Sequence, residues 1–329
     1  MKEPKEKELD FLVSGTSGFV GQTFRDFLLQ KKIRLIELNR VPGRSPFLSL
    51  KCDGLELGQS DSMQGLVPML RAFREKESSR QLVAVNLSSY GVLQGQRDSD
   101  EMIRGNPNWA CQFVEFASQL NASRLIQIGS CSEYAPSQHQ ALLTENSLCQ
   151  PTTFYGAAKL SASMMALTLA SGKNLPCVVF RLFGVYGPRE HHARLVPFVL
   201  NHLALKTPSL PLTGGEQIRD FTYVVDVAEA IFAGAQRFAS LTDADCLFTP
   251  RVFNICSGIP RSIRSVSEAV VDALGASREI LDFGAIPYRS DECMFIAGDP
   301  KRFIEWAEWT PRFSLNQGIM ETHRYLTES

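Results

Sequence analysis

The sequence has no excess of either charge and no long apolar run. Its 329 residues include 34 lysines and arginines against 35 aspartates and glutamates, so the formal net charge is -1 at pH 7. Such a chain has no global positive field to attract nucleic acid or anionic lipid. Its longest apolar stretches, such as MMALTLA at 164–170, are far shorter than the roughly 20 residues that cross a bilayer. We therefore expect neither a nucleic-acid partner nor a membrane partner.

Paired cysteine motifs and a secretory signal are also missing. Eight cysteines are scattered without a CxxC pair, which is typical of reduced thiols in a cytosolic protein. The first ten residues, MKEPKEKELD, alternate charges and lack the apolar centre of an export signal. His191 and His192 have no acidic or cysteine partner at metal-ligand spacing. We expect a cytoplasmic protein without a metal site.

What the chain does contain is the pattern of an α/β globule. Hydrophobic residues make up 44% of it and charged residues 21%, which excludes a disordered chain. Short β-rich runs alternate with segments of helical periodicity at 22–31, 108–120 and 155–171, and this alternation is typical of a doubly wound parallel sheet. The runs lie near Asp10, Ile33, Leu48, Gln81, Arg124 and Cys177.

The alternation ends near Gly187, and an irregular, proline-rich passage follows. A further helical stretch at 224–239 and a strand-like run, VFNIC, come after it. We therefore predict a doubly wound α/β domain over 1–187 and 224–257. A smaller, interleaved substrate domain would occupy 188–223 and 258–329 and cover the sheet edge at which ligands bind.

A glycine-rich turn follows the first predicted strand. In GTSGFVG, Gly15, Gly18 and Gly21 recur every third residue just before a helical pattern. Glycines at this spacing allow a tight turn, a close approach of backbone amides to a pyrophosphate and close helix–sheet packing, and the helix N-terminus favours the anion. The turn predicts dinucleotide binding, and hence an NAD(P)-binding Rossmann fold for the larger domain, with a purely structural glycine turn as the alternative.

The second predicted strand ends at Asn39, and Arg40 follows. An acidic side chain at this place accepts a hydrogen bond from the ribose 2′-hydroxyl of NAD and repels a 2′-phosphate. Asparagine carries no charge, and a guanidinium can bind phosphate oxygens through two N–H groups. The pair favours NADP(H), with NAD(H) possible; the alternative is an arginine that merely faces solvent in a loop.

The segment YGAAK places Tyr155 and Lys159 one helical turn apart, so both project from one face. An ammonium near a phenol stabilises the phenolate, so we expect Lys159 to lower the pKa of Tyr155. Ser130 ends the preceding strand and is a candidate third member of the site. Cys131 and Ser132 are alternatives for that role.

The motifs GTSGFVG, NLSSYG, GSCSEY, YGAAK, RLFGVYGP, GGEQIRDFTYVVDVAEAI and FNICSG occur in an order that resembles extended short-chain dehydrogenases/reductases. The resemblance is to the NAD(P)-dependent epimerase/dehydratase family that acts on nucleotide sugars. Within it, the chain looks most similar to CDP-abequose synthase-like 4-ketoreductases. The resemblance spans about 10–319.

The resemblance implies roles for individual positions. Those implied for the cofactor are pyrophosphate contacts from Gly15, Gly18, Phe19 and Gly21, an adenine contact from Asp53, and adenosine-ribose contacts from Leu87 and Ser88. Ser130, Tyr155 and Lys159 would be catalytic. Arg219 and Arg289 would bind the diphosphate of a nucleotide-sugar substrate. Gly184 stands where many sugar-nucleotide epimerases have an asparagine that contacts substrate, and family members commonly form homodimers through the Tyr155 helix and the helix before its strand.

The implied activity is reduction at C4 of a 4-keto-6-deoxyhexose linked to a nucleoside diphosphate, with a CDP link favoured. A 4-epimerase would use the same residues twice and is the first alternative. A 4,6-dehydratase with Glu133 as acid or base is a second, although Ser132 stands where such dehydratases have an aspartate. A non-catalytic dinucleotide-binding regulator is a remote third.

Overall fold

The computed structural model describes residues 9–40, 48–52, 55–77, 80–93, 95–137, 140–289 and 292–328. Within these residues the strands are β1 (Leu9–Ser14), β2 (Leu35–Arg40), β3 (Leu48–Cys52), β4 (Leu55–Ser60), β5 (Gln81–Asn86), β6 (Arg124–Ser130), β7 (Cys177–Leu182), β8 (Gly184–Tyr186), β9 (Leu210–Leu212), β10 (Ile218–Tyr223), β11 (Val252–Ile255), β12 (Pro260–Ser262), β13 (Leu281–Phe283) and β14 (Phe295–Ile296).

The helices of the same residues are α1 (Phe19–Gln30), α2 (Met63–Glu77), α3 (Ser99–Ile103), α4 (Trp109–Gln119), α5 (Phe154–Gly172), α6 (Leu195–Ala204), α7 (Val224–Ser240), α8 (Asp243–Phe248), α9 (Ile263–Ala273), α10 (Lys301–Ala307) and α11 (Leu315–Glu328). A π-helical turn, Arg104–Asn108, joins α3 to α4. Among the described helices, none combines the length and apolar character that a bilayer-crossing segment requires.

The largest sheet is doubly wound, as predicted, with strand order β11-β7-β6-β5-β1-β2-β3-β4. The strands from β11 to β2 are parallel, but β3 and β4 are antiparallel to their neighbours. The run near Leu48 is thus wrongly predicted as parallel. A parallel strand needs a crossover of about a dozen residues or more, and the chain between Arg40 and Leu48 is shorter, so this run returns beside β2 in the opposite direction.

The sheet is buried on both faces, which explains its continuous apolar strands. Along β1, Leu12 packs with α2, α4 and α5 on one face. Phe11 and Val13 point to the other face and pack with α1, α7 and α10. All three side chains are fully buried. The two helical layers therefore cover both faces of the sheet, and the carboxyl ends of the parallel strands are left as the edge at which a ligand can bind.

The C-terminal part builds a second core beside those strand ends. There β12, β10 and β14 form a small sheet to which β8 is attached, and β9 pairs with β13. Their apolar side chains pack with α6, α9 and α11 around Tyr186, Leu200 and Val270. The sequence prediction placed no element in α9, although its apolar residues have helical spacing and Ser262 caps its first turn. The predicted domain boundaries stay a prediction.

Candidate active site

A cleft of about 980 Å³ lies where the parallel strands end. It is lined by residues that follow or end β1, β2, β5, β6 and β7 and, from the C-terminal part, by Arg219 and Glu292. Ligands of doubly wound sheets bind outside the carboxyl ends of the strands. The predicted site residues that line it are Gly15, Gly18, Phe19, Gly21, Asn39, Arg40, Leu87, Ser88, Ser130, Tyr155, Lys159, Arg219 and Arg289. Asp53 lies outside the described residues.

The glycine turn has the shape that a pyrophosphate requires. Gly15 has a φ of +88°, and a Cβ there would meet the backbone nitrogen of Ser88 at 2.7 Å. A Cβ on Gly21 would collide with the carbonyl oxygen of Gly15. Gly18 is the N-cap of α1, whose first turn contains no acidic residue. The positive end of the helix dipole thus faces the cleft, and these residues fit a dinucleotide.

Tyr155 and Lys159 lie on the first two turns of α5, which begins under a Thr153 cap. The Tyr155 hydroxyl lies 3.5 Å from the Ser89 hydroxyl, and Ser130 is near enough to act to lower the pKa of the phenol. Lys159 is 2% exposed, and its Nζ donates to the carbonyl oxygen of Ile128 at 2.7 Å. An ammonium has three N–H donors, so Lys159 is held in place by one and can offer others to a ribose hydroxyl.

The prediction that Lys159 lowers the pKa of Tyr155 is wrong. Burial raises the pKa of Tyr155 above its usual value, and the side chains of Ser89 and Ser130, which act to lower it, only partly offset this. Burial also lowers the pKa of Lys159 to about 8, against the opposing charge of Glu133. The physical reason is that desolvation penalises both charged forms. Tyr155 therefore carries its proton at neutral pH.

Ser130, Cys131 and Ser132, the three candidates for the third member of the site, all line the cleft. Ser130 ends β6, accepts a bond from the Ser132 backbone at 3.1 Å and acts to lower the pKa of Tyr155. Burial raises the pKa of Cys131 to about 11, so its thiol is neutral. Of the three, Ser130 is thus the one whose side chain acts to lower the pKa of the Tyr155 phenol.

Glu133 is fully buried and serves as an anchor for the end of β6. One of its carboxylate oxygens accepts from the Ser130 backbone and the Ser163 hydroxyl, each at 2.9 Å. The other accepts from Nε of Arg181 at 2.7 Å, and the Arg181 guanidinium lies over the Tyr134 ring. Sequence reasoning missed this network, because an acid, a serine and an arginine far apart in the chain give no local signal.

Arg219 and Arg289 are brought together by a residue that sequence reasoning did not single out. Glu292 accepts from Arg219 at 2.6 Å and from Arg289 at 3.1 Å. The Glu292 side chain is 9% exposed, and Arg219 is also largely covered. Two guanidiniums thus converge on one wall of the cleft, with Glu292 as their counter-charge, and guanidiniums can bind phosphate oxygens through paired N–H groups.

Gly184 has a packing reason to be glycine. A Cβ at this position would collide with the carbonyl oxygen of Asp220, because β8 and β10 pair side by side. The Asp220 carboxylate in turn accepts from the backbone of Ser257 and Gly258. An asparagine side chain therefore has no room at position 184.

Glu190 is a second cleft residue that the sequence analysis missed. Its side chain is 6% exposed, and one of its carboxylate oxygens is buried with no hydrogen-bond partner among the described residues. Nε of Arg194 lies 3.4 Å from the other. Burial raises the pKa of Glu190 from 4.5 to about 7, although Arg194 acts in the opposite direction.

We expect Glu190→Gln to become more stabilising as the pH rises. A folded-state pKa above the unfolded one means that the folded protein loses stability between about pH 4.5 and 7 and no further above that range. The glutamine variant escapes this loss, which amounts to as much as about 3 kcal/mol. Urea unfolding at pH 5 and pH 8.5 measures it. Glu305→Gln, at an exposed carboxylate, is the control and should show no such difference; equal effects in both variants would contradict the prediction.

Comparisons with known proteins decide the family. Residues 11–256 match the NAD dependent epimerase/dehydratase family. The chain belongs to that family. It is therefore an enzyme of the extended short-chain dehydrogenase type, with a nicotinamide dinucleotide as its cofactor.

Two curated relatives and one solved structure illustrate the range of the epimerase/dehydratase family. Protein CapI of Staphylococcus aureus is 26% identical over 335 residues, which is 91% of this chain and 98% of CapI. CDP-abequose synthase of Salmonella typhimurium is 29% identical over 156 residues, 46% of this chain and 49% of that protein. The dTDP-glucose 4,6-dehydratase of Bacillus anthracis, solved with NAD, has the same fold at 20% identity and a TM-score of 0.77, covering 98% of this chain and 97% of its own.

Proposed function

We propose that this enzyme reduces the C4 ketone of a nucleoside-diphosphate-linked 4-keto-6-deoxyhexose. The observation that carries the proposal is the protonated phenol of Tyr155 at the strand ends: burial raises its pKa. Reduction of a ketone consumes a proton at the carbonyl oxygen, and a neutral phenol supplies one. Oxidation of an alcohol would need the phenolate, which burial disfavours.

The chain's own residues have distinct parts in this step. When bound, the reduced nicotinamide supplies the hydride to C4. Tyr155 Oη donates its proton to the ketone oxygen, and Ser130, which lines the cleft at the end of β6, binds that oxygen while charge develops on it. Lys159, fixed by the Ile128 carbonyl, binds the nicotinamide ribose. Ketone, hydride and proton together give the secondary alcohol.

The substrate side of the proposal rests on the two arginines. Arg219 and Arg289 would exchange part of their bonding with Glu292 for the diphosphate oxygens, a stronger set of charge-assisted acceptors. The CDP link is proposed from the likeness to CDP-abequose synthase, which covers 46% of this chain. We also propose the domain division that the sequence predicts: residues 1–187 and 224–257 would bind the dinucleotide, and residues 188–223 and 258–329 would bind the sugar nucleotide.

We propose NADPH as the preferred hydride donor. Asn39 provides no negative charge at the end of β2, and Arg40 is exposed with its guanidinium 5.5 Å from the centroid of the Trp109 ring. Among the described residues no carboxylate forms an ion pair with Arg40, so its charge is available to a 2′-phosphate.

A 4-epimerase remains the second candidate, since its chemistry uses the same side chains twice and the family contains such enzymes. A 4,6-dehydratase that relies on Glu133 is less supported. Both Glu133 oxygens are engaged, and the side chain is fully buried. An acid or base must reach the proton it transfers.

A homodimer is proposed from the outer face of α5. Met164 and Met165 there are 59% and 46% exposed, and α4 packs beside α5 on the same layer. Exposed methionines on a helix pair suit an isologous contact with a second copy. Light scattering of the purified chain distinguishes one copy from two.

The decisive assay supplies CDP-, dTDP- and GDP-linked 4-keto-6-deoxy sugars with NADPH or NADH and follows absorbance loss. We expect stoichiometric consumption of the reduced cofactor with at least one of them. Interconversion of C4 epimers without net consumption would replace the reductase proposal by the epimerase.

A further inference from the structure

Three polar side chains connect the glycine turn with the end of β2. Thr16 Oγ1 donates to Oε2 of Glu37 at 2.5 Å. Nδ2 of Asn39 donates to Thr16 Oγ1 at 2.7 Å. Glu37 and Thr16 are buried, whereas Asn39 lines the cleft. The chain of bonds therefore runs from a buried carboxylate to a side chain at the cofactor site.

The donor and acceptor capacities of these groups fix the Asn39 amide in one orientation. A hydroxyl has one proton, and the Thr16 proton is directed to the Glu37 carboxylate, which only accepts. The Thr16 oxygen must then accept from its other neighbour, so the amide nitrogen of Asn39 faces it. The amide oxygen, Oδ1, is buried and has no hydrogen-bond partner among the described residues. The group that Asn39 can offer to a ligand is therefore its acceptor oxygen, Oδ1.

We propose that Glu37 and Thr16 are positioning residues that hold Asn39 as a hydrogen-bond acceptor for the adenosine ribose and thereby maintain affinity for NAD(H). The end of the second strand is the place where such folds bind this ribose. A free 2′-hydroxyl can donate to Oδ1 and satisfy a buried oxygen that is otherwise unpaired. A 2′-phosphate dianion offers only acceptors and gains nothing from it.

Arg40 complements this arrangement. It follows Asn39 in the chain, and its exposed guanidinium suits a 2′-phosphate. Two adjacent side chains thus serve the two forms of the cofactor separately, and the buried relay controls only the unphosphorylated one. The inference rests on the proposed cofactor site and is independent of the sugar substrate.

Thr16→Val tests the relay, because it keeps the shape of the side chain and removes its hydroxyl. The Asn39 amide then loses its fixed partner and can turn its nitrogen towards the ribose, where that N–H can donate to a 2′-phosphate as well as to a 2′-hydroxyl. We expect the ratio of the NADH dissociation constant to the NADPH dissociation constant to rise roughly five- to tenfold. Thr16→Ser restores the hydroxyl and should restore the wild-type ratio. Calorimetric titration of the full chain with each dinucleotide measures both constants without turnover.

Other outcomes of these titrations distinguish a failure of the relay from a failure of the cofactor site. An equal loss of affinity for both dinucleotides, or no change in either, would overturn the relay. If Thr16→Val does not fold, Asn39→Leu takes its place: it removes the acceptor itself, should weaken NADH by a similar factor and spare NADPH, and an unchanged NADH affinity would overturn the proposal. Wild-type protein that binds neither dinucleotide would instead refute the cofactor site.

Discussion

Tyr155→Phe should lower the rate of ketone reduction by a factor of about 10² to 10⁴ and leave the dissociation constant of the reduced cofactor nearly unchanged. That range is the usual contribution of a positioned general acid. The variant removes one hydroxyl and keeps the ring that lines the cleft. Because burial raises the pKa of Tyr155, the phenol stays protonated through neutral pH, and the wild-type rate should fall at alkaline pH, first where Lys159, with its pKa lowered to about 8, loses its charge.

Single-turnover absorbance measurements and a separate cofactor titration divide chemistry from binding in this experiment. Tyr223→Phe is the matched control, since it removes the same hydroxyl from a buried tyrosine of β10 that is not among the cleft-lining residues, and it should keep the wild-type rate. A Tyr155→Phe enzyme with undiminished turnover would refute Tyr155 as the acid. Loss of cofactor binding in the same variant would show that the hydroxyl holds the dinucleotide.

Arg181→Met should lower the free energy of unfolding by about 3–5 kcal/mol, the usual effect of removing one partner from a buried ion pair. Methionine retains much of the apolar stem but leaves the fully buried Glu133 carboxylate without its closest counter-charge. The same carboxylate accepts from the Ser130 backbone, so the end of β6 should loosen with it. Urea unfolding at neutral pH measures the change.

The control for this prediction is Arg278→Met, which breaks an ion pair whose arginine side chain is 56% exposed and should change stability little. A second variant, Arg181→Met combined with Glu133→Gln, removes the stranded charge and should recover part of the loss. If Arg181→Met alone is as stable as wild type, the Glu133–Arg181 ion pair does not anchor the end of β6. The acid–base hypothesis for Glu133 would then regain weight.

Local patterns in the sequence predict the sheet and half of the site well. The run at β1 is apolar on both sides because α-helices cover both faces of it, and its end coincides with Gly15, where a positive φ permits the turn. Tyr155 and Lys159 are one turn apart on α5, so their common face follows from helix geometry alone. The antiparallel β3 was predicted wrongly, since strand direction depends on the length of the connection and not on the pattern within the strand.

Contacts between distant segments could not be predicted in this way. The Arg219–Glu292 pair and the Thr16–Glu37 pair both join residues whose spacing carries no periodic signal. The sign of the pKa shift at Tyr155 belongs to the same class. It depends on how much water the fold removes, and burial outweighs the neighbouring groups.

The sequence by itself determined the doubly wound architecture, the glycine turn and the helix that carries Tyr155 and Lys159, because each follows from residue spacing within one element. The tertiary structure alone decided which charged groups form ion pairs, which carboxylates are buried and that the phenol of Tyr155 is protonated. Those properties arise from packing between elements, where the loss of solvent changes the free energy of every charged group.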